Sequence, residues 1–223
     1  MIRLYVRIAD DIMKEIRKRN DIMPKKNDTK SRIVEAAWQL FHEKGYEETT
    51  IEDIISLSGT SKGTFYHYFA GKDALLGSLS DIFDSFYEES EATSRLADDM
   101  DCVDKLIALC CQIHKMIGER IQPSLLASLY SSQVVTRGDR HLLNQNRYYY
   151  KMIQQIAEKG LRRGEIRQDL TVFDVVSYYS MCERAIIYDY CIHDASYDLG
   201  EYTAQVIPLM MEGLRAQSSE TDV

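Results

Sequence analysis

No apolar run in this sequence is long enough to cross a bilayer, and no signal-peptide pattern opens it. The expectation is a cytoplasmic chain without membrane attachment. Its five cysteines (Cys102, Cys110, Cys111, Cys182, Cys191) lack metal-ligand spacing, and their odd number leaves one outside any disulfide framework. They read as reduced core thiols, with a redox sensor at Cys110 or Cys111 as the alternative. The five histidines (His42, His67, His114, His141, His193) are expected to make no metal-ligand pair at i,i+4 spacing. No glycine loop fits a phosphate, and no serine or cysteine sits in a nucleophile motif. These absences argue against an enzyme, a metal and a cofactor. The Glu88-Glu89-Ser90-Glu91 run reads as a solvated helix face, because neighbouring carboxylates need a cleft to act as a dyad. Internal repeats and heptad arrays are absent too.

At 223 residues the chain can hold one domain or two small ones. Its net charge is −8, unevenly spread. Residues 1–32 carry ten basic and five acidic groups, a net of +5, which leaves −13 for the remainder. An acidic body does not exclude a polyanionic partner when a few placed cations and backbone N–H groups make the contacts.

The most informative stretch is Thr49–Leu76, which reads as helix, tight turn, helix and the start of a third helix. Thr50 and Asp53 have capping-box spacing, and Ile51, Ile54, Ile55 and Leu57 supply an apolar face. Gly59 fits a left-handed helix end. Ser61 can cap a helix over Lys62–Phe69, anchored by Phe65, Tyr68 and Phe69. Gly63 and His67 then lie on the opposite face, flanked by Thr64 and Tyr66. Small and polar groups facing outward from an aromatic anchor suit the second helix of a DNA-binding helix-turn-helix.

Thr50, Ile54, Gly59, Ser61, Gly63, Thr64, Phe65, Tyr66, Tyr68, Phe69, Lys72, Asp73 and Leu75 stand in the register of a known signature. On these residues the chain resembles the tetracycline-repressor (TetR) family of bacterial transcription regulators. It departs from the pattern at Ile55 and Ser58, where alanine is usual, and at Thr60, usually apolar. The resemblance implies an all-α fold: an N-terminal three-helix helix-turn-helix domain, then a C-terminal helical ligand-binding and dimerisation domain. It implies a ligand-responsive homodimer that binds a palindromic double-stranded DNA operator and is released by a small-molecule inducer. Two other readings stand beside it: a regulator-like fold that binds a protein partner, and a helical enzyme that merely contains the hairpin. In the DNA-binding reading Ser61 caps the recognition helix. Lys62, Gly63, Thr64 and His67 lie nearest base edges, while Thr50, Tyr66 and Lys72 hold phosphates.

The expected organisation is an arm over residues 1–28, a DNA-binding domain over 29–76, an effector-binding and dimerisation domain over 77–217, and a disordered tail over 218–223. Residues 1–22 have two readings: a basic arm for the minor groove, or an over-extended start with Met23 as the biological one. A first helix over 29–45, capped by Thr29 or Ser31, carries Ile33, Ala36, Ala37, Leu40 and Phe41 at helical spacing. Trp38 falls off that stripe and is expected at an edge. One linking helix is expected over Gly71–Glu91, with a phosphate seat at its amino end and a composition boundary at Ala92–Asp101. Further helices are expected over Cys102–Glu119, Pro123–Val135, Leu142–Arg163, Thr171–His193 and Asp198–Gln217, with an Arg137-Gly138-Asp139 turn and a kink before Pro208.

The last two of these helices carry apolar stripes. Val175, Tyr179, Cys182, Ile186 and Tyr190 on one, and Tyr202, Val206 and Met210 on the other, are the expected dimer interface, with intramolecular core as the alternative. Glu183 falls inside its helix's stripe, where a carboxylate needs a partner. Either it is hydrogen-bonded or ion-paired within the protein, or it meets a cationic or hydrogen-bonding lipophilic ligand. In the second case Tyr149 and Tyr179 join it, and Cys110 and His114 line the other wall.

Overall fold

Helix boundaries here are set by side chains that finish the backbone's hydrogen bonding. The computed structural model describes residues 29–93, 99–135 and 140–217, apart from the side chains of 42 and 89–93. The expectations for residues 1–28, for Arg137-Gly138-Asp139 and for 218–223 lie outside the described residues. So does half of the Ala92–Asp101 boundary, residues 94–98. The helices are α1 (Thr29–Lys44), α2 (Ile51–Ser58), α3 (Lys62–Tyr68), α4 (Lys72–Leu76), α5 (Ser78–Thr93), α6 (Cys102–Arg120), α7 (Pro123–Val135), α8 (Tyr148–Arg163), α9 (Val172–Ile192) and α10 (Leu199–Met211). Short 3-10 turns cover His141–Leu143 and Glu212–Leu214. Among the described residues the only β contact is a bridge between Ile166 and Arg215.

The contacts divide these residues into two units. The first holds 29–83 and 120–144. Ile33, Ala36, Ala37 and Phe41 of α1 form its core with Ile54, Phe65, Leu75 and Leu76. Thr29 and Ser31 are already helical, so neither is a flanking cap. Trp38 sits half-buried, edge-on to Phe41, and its indole N–H donates to Ser78 Oγ at 3.0 Å. The expected linking helix is two helices, broken at Gly77. A Cβ at Gly77 would lie 2.6 Å from the His141 ring, so only glycine admits that ring. The Ser78 and Ser80 hydroxyls bond the carbonyls of Leu75 and Gly77, which satisfies the acceptors the break exposes.

The second unit holds 84–119 and 145–217. Helix α6 runs through its middle and is buried on nearly every side, from Cys102 and Val103 to Met116 and Ile117. Sequence periodicity marked one face of α6, whereas packing encloses most of the others as well. Helix α8 starts at Tyr148 rather than Leu142, because Arg147 is extended (φ −62°, ψ 149°) and turns its guanidinium onto Asp84. Helix α9 opens with a capping box between Thr171 and Asp174. Helix α10 is capped by Asp198, contains Pro208, and ends at Met211, short of the expected Gln217. Beyond it Arg215 binds Asp101 at 3.1 Å and Asp104 at 2.5 Å, which fixes the chain in a non-helical course.

The Arg147–Asp84 pair is the most enclosed ion pair among the described residues, with side chains 9% and 14% exposed. Its guanidinium donates at 2.7, 3.1 and 3.2 Å, so both carboxylate oxygens are bound. Removing one partner strands the other charge, at a cost of about 3 kcal/mol or more. Arg147→Ala should therefore lower the urea midpoint sharply with the m-value unchanged. A loss under about 1 kcal/mol would mean that the pair behaves like a surface one.

Candidate functional site

The helix-turn-helix is built by local hydrogen bonds. Thr50 accepts from the Asp53 N–H, and the Asp53 carboxylate bonds the Thr50 N–H, closing the capping box. At the other end of α2, Gly59 adopts φ +63°. Its N–H reaches Ser56 O and that of Thr60 reaches Ile55 O, the double bond pattern of a Schellman turn. Ser58 and Thr60, two of the departures from the family pattern, share a hydroxyl hydrogen bond of 2.9 Å. The Ser61 hydroxyl then caps α3 by accepting from the Thr64 N–H at 3.1 Å.

Two residues expected in the anchoring face are exposed. Leu57 is 46% and Tyr68 42% exposed, whereas Ile54, Ser58, Phe65 and Phe69 are buried. With about 100° per residue, position i+3 falls about 60° to one side of position i and i+4 about 40° to the other. The fold tilts both helices towards the i+4 side, so Leu57 and Tyr68 turn out. Tyr68 therefore joins Ser61, Lys62, Gly63, Tyr66 and His67 on the exposed surface, beside the half-buried Thr64. Lys62 holds only an exposed contact to Glu52 at 3.1 Å. A Cβ on Gly63 would meet nothing but Ser61 Oγ, at 3.9 Å.

Lys72 is placed differently. Its ammonium donates to Tyr46 O at 2.7 Å and Glu47 O at 3.2 Å, and lies 4.2 Å above the Tyr46 ring. The Tyr46 hydroxyl in turn donates to Asp73. Lys72 thus clamps the turn after α1. The helix it opens is five residues long.

The second unit gathers all four residues expected around Glu183. The carboxylate is 5% exposed and accepts from the Tyr87 hydroxyl at 2.8 Å. The Tyr149 and Tyr179 hydroxyls also face it, and Tyr179 bonds Leu106 O at 3.1 Å. Burial raises the Glu183 pKa, and these tyrosine contacts partly offset that rise. Cys110 and His114 face the same carboxylate from α6; one ligand atom from each of the three lies within 4.8 Å of the others. Burial, and then the Glu183 charge, push the Cys110 thiol well above its usual pKa. Burial lowers His114 to about 3, so its ring is neutral near pH 7. Its Nδ1 lies 2.8 Å from Thr203 Oγ1. Tyr87 and Thr203 are the participants that sequence reasoning missed; neither breaks the pattern of its own helix.

The expected dimer residues separate. Val175, Tyr179, Cys182, Ile186 and Tyr190 are at most 5% exposed within a single chain, so they are its own core and not a surface for a partner. This corrects the seam on α9. Tyr202, Val206 and Met210 on α10 are half-exposed. The outer side of α9 presents a second apolar stripe, with Phe173 75%, Met181 53%, Tyr188 54% and Ile192 59% exposed, and Leu209 of α10 is 77% exposed.

The Lys72 geometry has a measurable consequence. Each hydrogen bond from a charged donor contributes about 1.5–3 kcal/mol. Lys72→Met removes two such bonds, to Tyr46 O and Glu47 O, and should lower stability by roughly 3 kcal/mol. If the lysine only held a phosphate, stability would stay unchanged and the salt slope of DNA binding would fall by about one unit.

Comparison with known proteins identifies the architecture. The model of bacterial regulatory proteins of the tetR family matches residues 33–79. The probable HTH-type transcriptional regulator ArpR of Pseudomonas putida is 36% identical over 84 residues, which are 36% of this chain and 40% of that protein. The fatty acid metabolism regulator protein of Bacillus subtilis is 25% identical over 202 residues, 86% of this chain and 98% of that one. The crystal structure of Thermus thermophilus FadR, a TetR-family repressor in complex with lauroyl-CoA, superposes with a TM-score of 0.67. It shares 21% identity over 86% of this chain and 98% of its own, a likeness of fold. These relatives are regulators and not enzymes. The helix-turn-helix segment thus matches the tetR family of bacterial regulatory proteins, and the chain resembles regulators of that family in fold.

Proposed function

We propose that the protein is a dimeric, effector-responsive repressor that reads a palindromic operator with α3 and releases it when a small molecule occupies the second unit. Gly63 carries the DNA-binding half of this reading. A glycine inside a helix costs about 1 kcal/mol relative to alanine. Nothing within the described chain crowds the position. The missing side chain therefore serves something outside the chain that must come close, and a major groove is that kind of surface. Around it, Lys62, Thr64, His67 and Tyr68 are placed for base edges, while Thr50, Ser61 and Tyr66 are placed for phosphates. Lys72 acts chiefly as the clamp beneath them.

A second copy is the natural occupant of the exposed apolar face of α9 and α10. Contiguous apolar surface of this kind is rare on a monomer, and a two-fold axis pairs one face with itself. The proposed seam runs through Phe173, Met181, Tyr188 and Ile192, with Tyr202, Val206, Leu209 and Met210. Two recognition helices then reach two half-sites. The effector is proposed to act at the Glu183 cluster, releasing DNA only through its tighter binding to the DNA-incompetent conformation. Lauroyl-CoA, the ligand of the Thermus thermophilus FadR, is one molecule to be assayed for that role.

A gel shift with the DNA flanking the protein's own gene should show salt-sensitive, sequence-selective binding. Gly63→Val should abolish that shift with the circular dichroism unchanged, and retained operator affinity would sink the α3 assignment. A protein-binding relative of this fold would show no selective shift at all.

The seam is tested by a pair of charges. Met181→Glu should yield a folded monomer in sedimentation, with weakened operator binding. Ile186→Glu should instead unfold the chain, since an uncompensated buried charge costs several kcal/mol. A folded Ile186→Glu monomer beside a Met181→Glu dimer would return the seam to the inner stripe.

A further inference from the structure

Cys110 and His114 stand one helical turn apart on α6, and Glu183 meets them from α9. All three are buried, and their ligand atoms lie within 4.8 Å of one another. We propose that this triad binds one divalent transition-metal ion of the zinc type, and that such an ion is the effector class of the second unit. The regulatory half of that statement rests on the repressor reading; the binding half does not.

The donor set selects the ion. A thiolate, an imidazole and a carboxylate suit zinc and its first-row neighbours, whereas magnesium and calcium require cages of oxygen. Ligand bonds of about 2.0–2.3 Å at tetrahedral angles place donor atoms about 3.5 Å apart. Cys110 Sγ is 3.9 Å from His114 Nε2, and the widest pair must close by about 1 Å, which side-chain torsions can supply. Three protein ligands leave the fourth position to water or a small molecule.

The surrounding groups already orient the ligands. Thr203 donates its only hydroxyl proton to Leu199 O at 2.7 Å, so it accepts from His114 Nδ1–H at 2.8 Å. That network assigns the tautomer and leaves Nε2 with an unprotonated lone pair. Cys110 Sγ lies 3.9 Å from both ring nitrogens, a long sulfur contact compared with the 2.8 Å Thr203 bond. Tyr87 likewise fixes one Glu183 oxygen. Histidine and carboxylate ligands held by outer hydrogen bonds are the usual companions of a metal site. Charge points the same way, since a thiolate and a carboxylate together neutralise a divalent ion in a core where each alone is costly. On binding, the Cys110 S–H bond breaks, its electron pair goes to the metal, and the thiol proton leaves to solvent with any proton on Glu183.

The test uses the full chain, stripped by chelator and titrated with Co2+ as an optical probe, then with Zn2+. One Co2+ per chain should bind with proton release and a thiolate-to-cobalt charge-transfer band that Zn2+ abolishes. Cys110→Ser should remove the band. Glu183→Gln should weaken Zn2+ by tenfold or more, and Thr203→Val by roughly tenfold with the band retained. Absence of the band in the unmodified chain, or its survival in Cys110→Ser, overturns the site; the first needs no variant to fold. Gel shifts on the same samples separate the two halves. Saturating Zn2+ should release the operator, whereas binding without release leaves a structural ion and overturns the effector assignment. Failure to bind any operator strikes the repressor reading alone, and the cobalt titration remains decisive for the metal.

Discussion

A carboxylate enclosed by protein must be met by hydrogen-bond donors, and much of the second unit is arranged around that requirement at Glu183. Tyr87 reaches it from α5, Tyr149 from α8 and Tyr179 from its own helix. Cys110 and His114 face it from α6, and Thr203 of α10 in turn holds His114. Five helices thus contribute to one polar nucleus inside an otherwise apolar core. Apolar contacts alone tolerate small shifts, because dispersion and burial are weakly directional. A shared buried network is not so tolerant: displacing one helix leaves a polar group without its partner.

The helix-turn-helix follows the opposite principle. Its shape is fixed by bonds between near neighbours in sequence: Thr50 with Asp53, Gly59 and Thr60 with the carbonyls of α2, Ser61 with Thr64. Even Ser58 and Thr60, polar where the family pattern is apolar, satisfy each other. Phe65 and Phe69 are buried beneath, and the outer face carries only local bonds, Lys62 to Glu52 and Ser61 to Thr64. Lys72 is the exception, since its ammonium ties α4 to the turn after α1. A rigid frame with an uncommitted outer surface is what reading another molecule requires.

Several boundaries show where local rules lose to contacts. The helix expected through Gly77 is two helices, and at the junction the His141 ring takes the space a side chain would fill. Helix α8 starts six residues late, with Arg147 extended to reach Asp84. On α9, periodicity marked one stripe as the dimer seam, although apolar residues lie on the other side of the helix as well. The packed chain buries Val175, Tyr179, Cys182, Ile186 and Tyr190 and leaves Phe173, Met181, Tyr188 and Ile192 outside.

The sequence by itself determined most of the helices, the caps at Thr50, Ser61 and Thr171 and the helix-turn-helix, because capping boxes, left-handed glycine ends and aromatic anchors act over three to six residues. It also singled out Glu183 as a charge in an apolar stripe, with Tyr149, Tyr179, Cys110 and His114 as companions. Only the tertiary structure decided that Tyr87 and Thr203 complete that cluster, and that Cys110, His114 and Glu183 converge closely enough to share an ion. It alone turned Tyr68 outward, committed Lys72 to two carbonyls and chose the inner face of α9. The physical reason is range: a cap is satisfied by its own neighbours, whereas a buried polar atom or a two-faced helix is settled by residues that only folding brings near.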